Sequence, residues 1–193
     1  MVIAAGKTYT AEDYLALEVA SETRSEYRAG EIVPMTGGTP EHSEIITTLI
    51  FLLKSALRGR LYAIFAADQR LWIPDKDIYT YPDVMVVPRP VALKPGRRDT
   101  VMNPALIAEV LSDSTQAYDR GDKFQAYRTI PALQEYLLID QGKPCVEQYV
   151  KQDKGQWLLT ECLGLEARVI LSSVPVEIDL AELYKVLEDE GDR

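Results

Sequence analysis

Three residues, Asp83, Glu109 and Lys123, are the ones whose types and spacing could carry out hydrolysis in this chain. Asp83 lies in Tyr81-Pro82-Asp83-Val84-Met85-Val86-Val87, and Glu109 lies in Ala105-Leu106-Ile107-Ala108-Glu109-Val110-Leu111. Each run is apolar and short enough to be a strand. An ionised group inside such a run is costly unless something compensates it, and a metal ion is the compensation expected here. From Glu109 the strand has three or four residues left at about 3.3 Å each, followed by a turn at Ser112-Asp113-Ser114. A helix starting near Thr115 and folding back at about 1.5 Å per residue returns Lys123 by about 12 Å, which brings it level with Glu109. If the two strands are neighbours, two carboxylates and one ammonium converge, a set suited to phosphodiester hydrolysis. Lys123 is also four residues after Asp119, a spacing that a surface ion pair alone would explain.

Tyr81-Pro82-Asp83-Val84, Glu109-Val110-Leu111-Ser112 and Asp119-Arg120-Gly121-Asp122-Lys123 together resemble the PD-(D/E)XK nuclease superfamily, and within it the Uma-type restriction-endonuclease family of bacteria. Glu26-Tyr27-Arg28-Ala29-Gly30-Glu31-Ile32-Val33-Pro34-Met35, Glu41-His42 and Glu135-Tyr136-Leu137-Leu138-Ile139-Asp140 support the likeness, which runs roughly from Thr8 to Asp140. The usual pattern puts a lysine two residues after the acid on the same strand, and that position is Leu111. Lys123 of the following helix takes its place in Uma-type sequences.

The resemblance implies a restriction-endonuclease-like α/β fold, with a central mixed β-sheet flanked by helices and with N-terminal and C-terminal β-hairpins. It also implies a metal-dependent endonuclease acting on DNA. Asp83 and Glu109 would bind Mg2+, with Mn2+ as a substitute, and the carbonyl of Val110 would be a further ligand. Lys123 would serve the attacking water or the transition state. Glu44, an acid on the first long helix, is a candidate extra ligand, and His42, the one histidine of the chain, a further candidate. A homodimer is expected, with no nucleotide cofactor. A nuclease-like scaffold with a vestigial site and a metal-dependent hydrolase of a small phosphate compound are the alternatives. No Ser-His-Asp arrangement competes.

The chain has 193 residues, 47% of them hydrophobic, enough for one domain over 1–193. Its nuclease-like core is expected at about 24–140, with a C-terminal hairpin and helix in 141–193. No apolar run is long enough to cross a bilayer, and Met1 to Lys7 lacks a secretory pattern, so a cytoplasmic protein with no membrane partner is expected. Cys145 and Cys162 have no metal-ligand spacing and are expected to pack facing each other across a hairpin. The formal charge of −9 is awkward for a nucleic-acid partner. Arg89, Lys94, Arg97 and Arg98 nevertheless cluster in the loop after the Asp83 strand, and with Arg120 they are the candidate DNA contacts. Acids concentrate instead at Glu188-Asp189-Glu190 and Asp192.

These residues need a scaffold. Thr10 caps a short helix to about Glu18, and Ser25 to Met35 reads as a hairpin about Ala29-Gly30 that starts the sheet. After Gly37-Gly38-Thr39-Pro40, the residues Ile45, Ile46, Leu49, Leu52, Leu53 and Leu57 recur at helical spacing, with Lys54, Arg58 and Arg60 loading the helix end. Strands follow at 61–65, 69–73 and 79–87. A helix is expected at 114–129, a strand at 133–139, a hairpin at 145–151 and 156–163, and an amphipathic helix near 180–187.

Overall fold

The computed structural model describes residues 8–188. Met1 to Lys7 and the acidic run from Asp189 to Asp192 lie outside the described residues. Helix α1 (Ala11–Ala20) starts at Thr10, which accepts from the backbone of Asp13 while Asp13 accepts from the backbone of Thr10, so two backbone donors at the helix start are satisfied reciprocally. Strands β1 (Ser25–Arg28) and β2 (Glu31–Pro34) form the expected hairpin. Its turn uses Ala29 at φ 46° and Gly30 at φ 109°. Helix α2 (Pro40–Ala56), capped by Thr39, buries Ile45, Leu49 and Leu53.

The remaining strands are β3 (Tyr62–Ala66), β4 (Arg70–Ile73), β5 (Ile78–Thr80), β6 (Val84–Pro88), β7 (Thr100–Val101), β8 (Leu106–Leu111), β9 (Glu135–Asp140), β10 (Cys145–Lys151), β11 (Trp157–Leu163), β12 (Arg168–Ile170) and β13 (Glu177–Asp179), followed by helix α5 (Leu180–Glu188). They form two main sheets where the sequence suggested one. Strands β2-β1-β5-β4-β7 make a five-stranded sheet, β11-β10-β9-β8-β6-β3 a six-stranded one, and β12-β13 a separate pair. The N-terminal hairpin therefore starts its own sheet and does not extend the central one. In the central sheet β8 and β9 are parallel and the other pairings antiparallel.

Both faces of the central sheet are covered, which is why its inner strands read as unbroken apolar runs. One face, with Val84, Val86, Leu106, Ala108, Leu137 and Ile139, packs against α2 and α5. The other, with Met85, Val87, Ile107 and Leu138, packs against Leu71 and Ile73 of the first sheet and against Ala126 and Tyr127.

Three details differ from expectation. The apolar stretch 79–87 is not one strand: it breaks at Tyr81-Pro82-Asp83, with β5 in one sheet and β6 in the other. Proline has no donor for a ladder, and the break falls where the chain changes sheets. Cys145 and Cys162 are one register apart, opposite Leu163 and Val146 respectively, and both are free. The hairpin β12-β13 had no signal in the sequence reading. Among the described residues no helix is long and apolar enough to cross a membrane.

Candidate active site

Asp83 sits in the break between β5 and β6, one residue before the β6 ladder starts at Val84 opposite Ala108. With no β6 residue beside it, the backbone N–H of Val110 donates to Asp83 Oδ2 at 2.9 Å, and the N–H of Asp83 donates to Glu109 Oε2 at 3.3 Å. The two acids thus continue the ladder with their side chains, each tied to the other's strand. Glu109 is 2% exposed.

Helix α3 (Gln116–Tyr118) passes into a π-helical turn, Asp119–Lys123, before α4 (Phe124–Tyr127). A regular α-helix over 114–129 was expected. The wide turn inserts a residue into the helical repeat, as π-turns at functional sites commonly do. The Tyr136 hydroxyl donates to the Asp119 carbonyl at 3.1 Å. Asp119 and Lys123, both buried, turn inward: Lys123 Nζ lies 2.9 Å from Glu109 Oε1 and 3.2 Å from Asp119 Oδ1. The i,i+4 pair with Asp119 therefore exists as well, but it is buried. The Tyr127 hydroxyl donates to Glu109 Oε1 at 2.6 Å.

Glu26 on β1 was not among the site residues read from the sequence. It is buried on the first sheet, accepts from the Thr80 hydroxyl and holds Arg28 at 2.6 Å. Arg28 in turn lies over the Tyr118 ring, 3.8 Å from its centroid. The signal of Glu26 in the sequence was its place at the head of the stretch Glu26 to Met35 that supports the family resemblance, since alternation along a strand would have set it opposite buried Tyr27 and in solvent. Glu26, Arg28, Asp83, Glu109, Asp119 and Lys123 line a cleft of about 550 Å³ with His42, Tyr81, Val110, Gln141 and the loop 35–39.

Burial raises the Glu109 carboxyl to about 8 against the pull of Lys123, and the charges of Asp83 and Asp119 add to the rise. Burial works against the Lys123 ammonium, yet Glu109, Asp119 and Glu26 together raise its pKa well above the usual lysine value. Burial likewise opposes ionisation of Glu26, but Lys123, Thr80 and Arg28 prevail and hold it below the ordinary carboxylate value. His42 Nε2 lies 3.4 Å from Asp83 Oδ2. That hydrogen bond raises the imidazole pKa, burial opposes it, and the charge of Asp83 and the backbone of Val110 add to the rise.

Other candidates fall elsewhere. Glu44 is exposed and does not line the cleft, because two residues beyond His42 is about 200° around the helix. Arg89, Lys94, Arg97 and Arg98 follow the far end of β6, about 16 Å from Asp83 by strand rise, and none lines the cleft. Lys94 donates to the Tyr79 hydroxyl at 2.5 Å and lies over Trp72, while Arg97 is bound to Asp99 at 2.6 Å. Arg120 is taken up by Glu147 at 2.7 Å.

An α/β fold whose two mixed sheets meet at a buried acidic cleft is a nuclease-like architecture. The crystal structure of a "putative nuclease belonging to DUF820" from Anabaena variabilis matches it with a TM-score of 0.76, covering 93% of this chain and 99% of that one at 21% identity, a likeness of fold. The Uma2 family, described as "Putative restriction endonuclease", matches residues 11–182, and the chain belongs to it. Two relatives from Synechocystis sp., the uncharacterized proteins sll1609 and slr1290, are 44% and 36% identical over 91% of this chain, covering 99% and 91% of their own lengths.

Proposed function

We propose that this chain is a metal-dependent endodeoxyribonuclease, with Asp83, Glu109 and the Val110 carbonyl as ligands of Mg2+, or of Mn2+ in its place, and with Lys123 beside the reacting phosphate. The observation that supports this best is the meeting of two acids from adjoining strands with a buried ammonium 2.9 Å from one of them. The donors fit a hard cation, since all are oxygens. Burial, with the charges of Asp83 and Asp119, raises the Glu109 carboxyl to about 8 against the pull of Lys123, and a divalent ion at the two acids would favour its ionised form. Among the described residues no cluster of three or more His, Cys, Asp or Glu side chains is disposed to hold a metal. Magnesium suits so sparse a set because it keeps several of its waters.

Bound there, the ion would lower the pKa of a water and neutralise charge on the phosphoryl oxygens. Lys123 keeps its proton and can donate to the attacking water or to a non-bridging oxygen as negative charge develops. Tyr127 and the Asp83 N–H hold Glu109 in one orientation, and the Val110 N–H does the same for Asp83. His42 presents a proton at Nε2 toward Asp83.

The test is cleavage of supercoiled plasmid and of linear duplex in Mg2+ by the purified protein and by Asp83→Ala, Glu109→Ala and Lys123→Ala, each checked for folding. Cleavage by the wild type and loss of it in all three is expected; retention in all three would overturn the assignment. A second reading, a nuclease-like binding scaffold, is favoured by the sparse ligand set and would be supported by calorimetry showing no heat with Mg2+ or Mn2+. Turnover of nucleotides without turnover of polymer would point instead to a hydrolase of small phosphate compounds.

A further inference from the structure

The basic residues of this acidic chain separate into two groups. Arg28, Arg70, Arg97, Arg120 and Arg168 are each within 3.3 Å of a carboxylate oxygen. Lys54, Arg58, Arg60 and Arg89, all four exposed, are among those with no acid within ion-pair distance among the described residues, as are Arg24, Lys76, Arg98 and Arg128. The backbone gathers the first four at one end of the molecule. Lys54 stands in the last turn of α2, and Arg58 follows directly on its C-cap, Leu57. Arg60 N–H donates to the Leu57 carbonyl at 3.0 Å, and Arg89 N–H donates to the Leu61 carbonyl at 2.9 Å. Arg89 therefore leaves the loop grouping and joins the end of α2.

This patch is connected to the cleft by a single element. Helix α2 starts at the cleft, where Thr39 and His42 line the wall, and its last residue, Ala56, lies about 21 Å further along its axis at about 1.5 Å per residue, with Arg58 just beyond. Thr47, Phe51 and Lys54, at helical spacing, form its exposed ridge, with Phe51 68% exposed. The cleft itself carries Glu26, Asp83, Glu109, Asp113 and Asp119 against Arg28 and Lys123, so it repels a polyanion without a cation. Attraction for phosphate has to come from outside it.

We infer that Lys54, Arg58, Arg60 and Arg89 form a binding site for a nucleic-acid backbone, gripping phosphates about seven base pairs from the cleft at about 3.4 Å per pair. The identity of the polymer rests on the nuclease reading; the site itself rests on the clustering of unpaired cations.

The test is binding of a fluorescein-labelled 30-base-pair duplex in EDTA, so that cleavage is absent, across about 50 to 200 mM salt. The variant Lys54→Gln, Arg58→Gln, Arg60→Gln, Arg89→Gln is compared with wild type, with Lys76→Gln, Lys143→Gln, Lys154→Gln, Arg168→Gln as a control for charge alone. At about 0.9 per lost phosphate contact, the fourfold variant is expected to flatten the slope of log affinity against log salt by about 3 to 4, and to weaken binding at least tenfold at low salt. The control is expected to bind as wild type does. Thermal melting shows whether the variant folds, and if it does not, the pairs Lys54→Gln, Arg58→Gln and Arg60→Gln, Arg89→Gln are each expected to flatten the slope by about 2. Unchanged binding in a folded variant, or an equal loss in the control, overturns the site whatever the plasmid assay shows. Patch-dependent binding to phosphatidylserine vesicles with no binding to DNA also overturns it. Patch-dependent DNA binding without cleavage supports the site and removes the catalytic reading alone.

Discussion

Replacing Lys123 by Met should show how far the site depends on one buried charge. Its ammonium is the shared partner of Glu109 at 2.9 Å and Asp119 at 3.2 Å, and it also helps to hold Glu26 ionised. Removing one member of a buried ion pair costs about 3–5 kcal/mol. At about 2–4 °C per kcal/mol for a chain of this size, the melting temperature should fall by about 6 to 20 °C near pH 7. The loss also has a direction in pH. In the wild type Glu109 gives up its proton near pH 8; without Lys123 it gives it up at higher pH. Between those two values the variant's native state holds one more proton than the wild type's, while both unfolded chains hold none. A carboxyl raised in the folded state loses stability as pH climbs through its folded value, and the variant goes on losing about 1.4 kcal/mol per unit after the wild type has levelled off. The stability gap should therefore widen from pH 7 to pH 9.5, measured by urea unfolding and by calorimetry. The double variant Lys123→Met, Glu109→Gln should recover part of the loss, because Asp119 is then the one carboxylate left at ion-pair distance from that position. A drop below about 2 °C at pH 7, or a gap that narrows as pH rises, would refute the reasoning.

Two further outcomes test other parts of the structure. In Asp83→Asn the His42 pKa, followed by NMR, should fall, since the hydrogen bond and charge of Asp83 that raise it are lost while burial still lowers it; the stability lost with the pair is present below the unfolded histidine value and disappears as pH rises through the raised one, so the variant should differ from wild type more at pH 6 than at pH 8, and an unmoved His42 pKa would contradict the contact. Glu135 is fully buried and accepts from Ser172 N, Ser173 N, Ser173 Oγ and Gln148 Nε2; Glu135→Ala leaves the Ser172 and Ser173 donors without that acceptor, at about 1–3 kcal/mol each where they stay buried, while Gln148 keeps its bond to the Ile170 carbonyl, and amide exchange at Ser172 and Ser173 should accelerate, unchanged exchange there being the refuting result.

Much of the fold was legible because it rests on local signals. Thr10, Thr39 and the Ala29-Gly30 turn punctuate the chain where the sequence suggests, and the apolar ladders at 84–88, 106–111 and 135–140 are strands. The division into two sheets was not legible, since strand pairing is set by distant partners: nothing near Tyr79 says that it lies beside Tyr27 while Val84, five residues on, lies beside Ala108. Within the site, the meeting of Glu109 and Lys123 followed from strand and helix rise. The π-turn that delivers Lys123 did not, because a charged stretch such as Asp119-Arg120-Gly121-Asp122-Lys123 reads as a solvated helix face. Glu26 stayed hidden for a related reason: it reaches the cleft from the other sheet, and no spacing along the chain connects positions 26 and 123. The basic residues misled by proximity in sequence, for Arg89 is close to Asp83 along the chain but at the opposite end of its strand.

The crossing at Tyr81-Pro82-Asp83 has a consequence of its own. Asp83 is carried at the seam, with Thr80 and Glu26 on one side of it and Glu109 on the other. The acids then act as a gauge of how the two layers sit together: a slippage of one layer against the other, with every strand in each intact, would part Glu26 and Arg28 from Asp83 and Glu109. A substrate wedged into that joint would act as a clasp between the layers as well as a reactant.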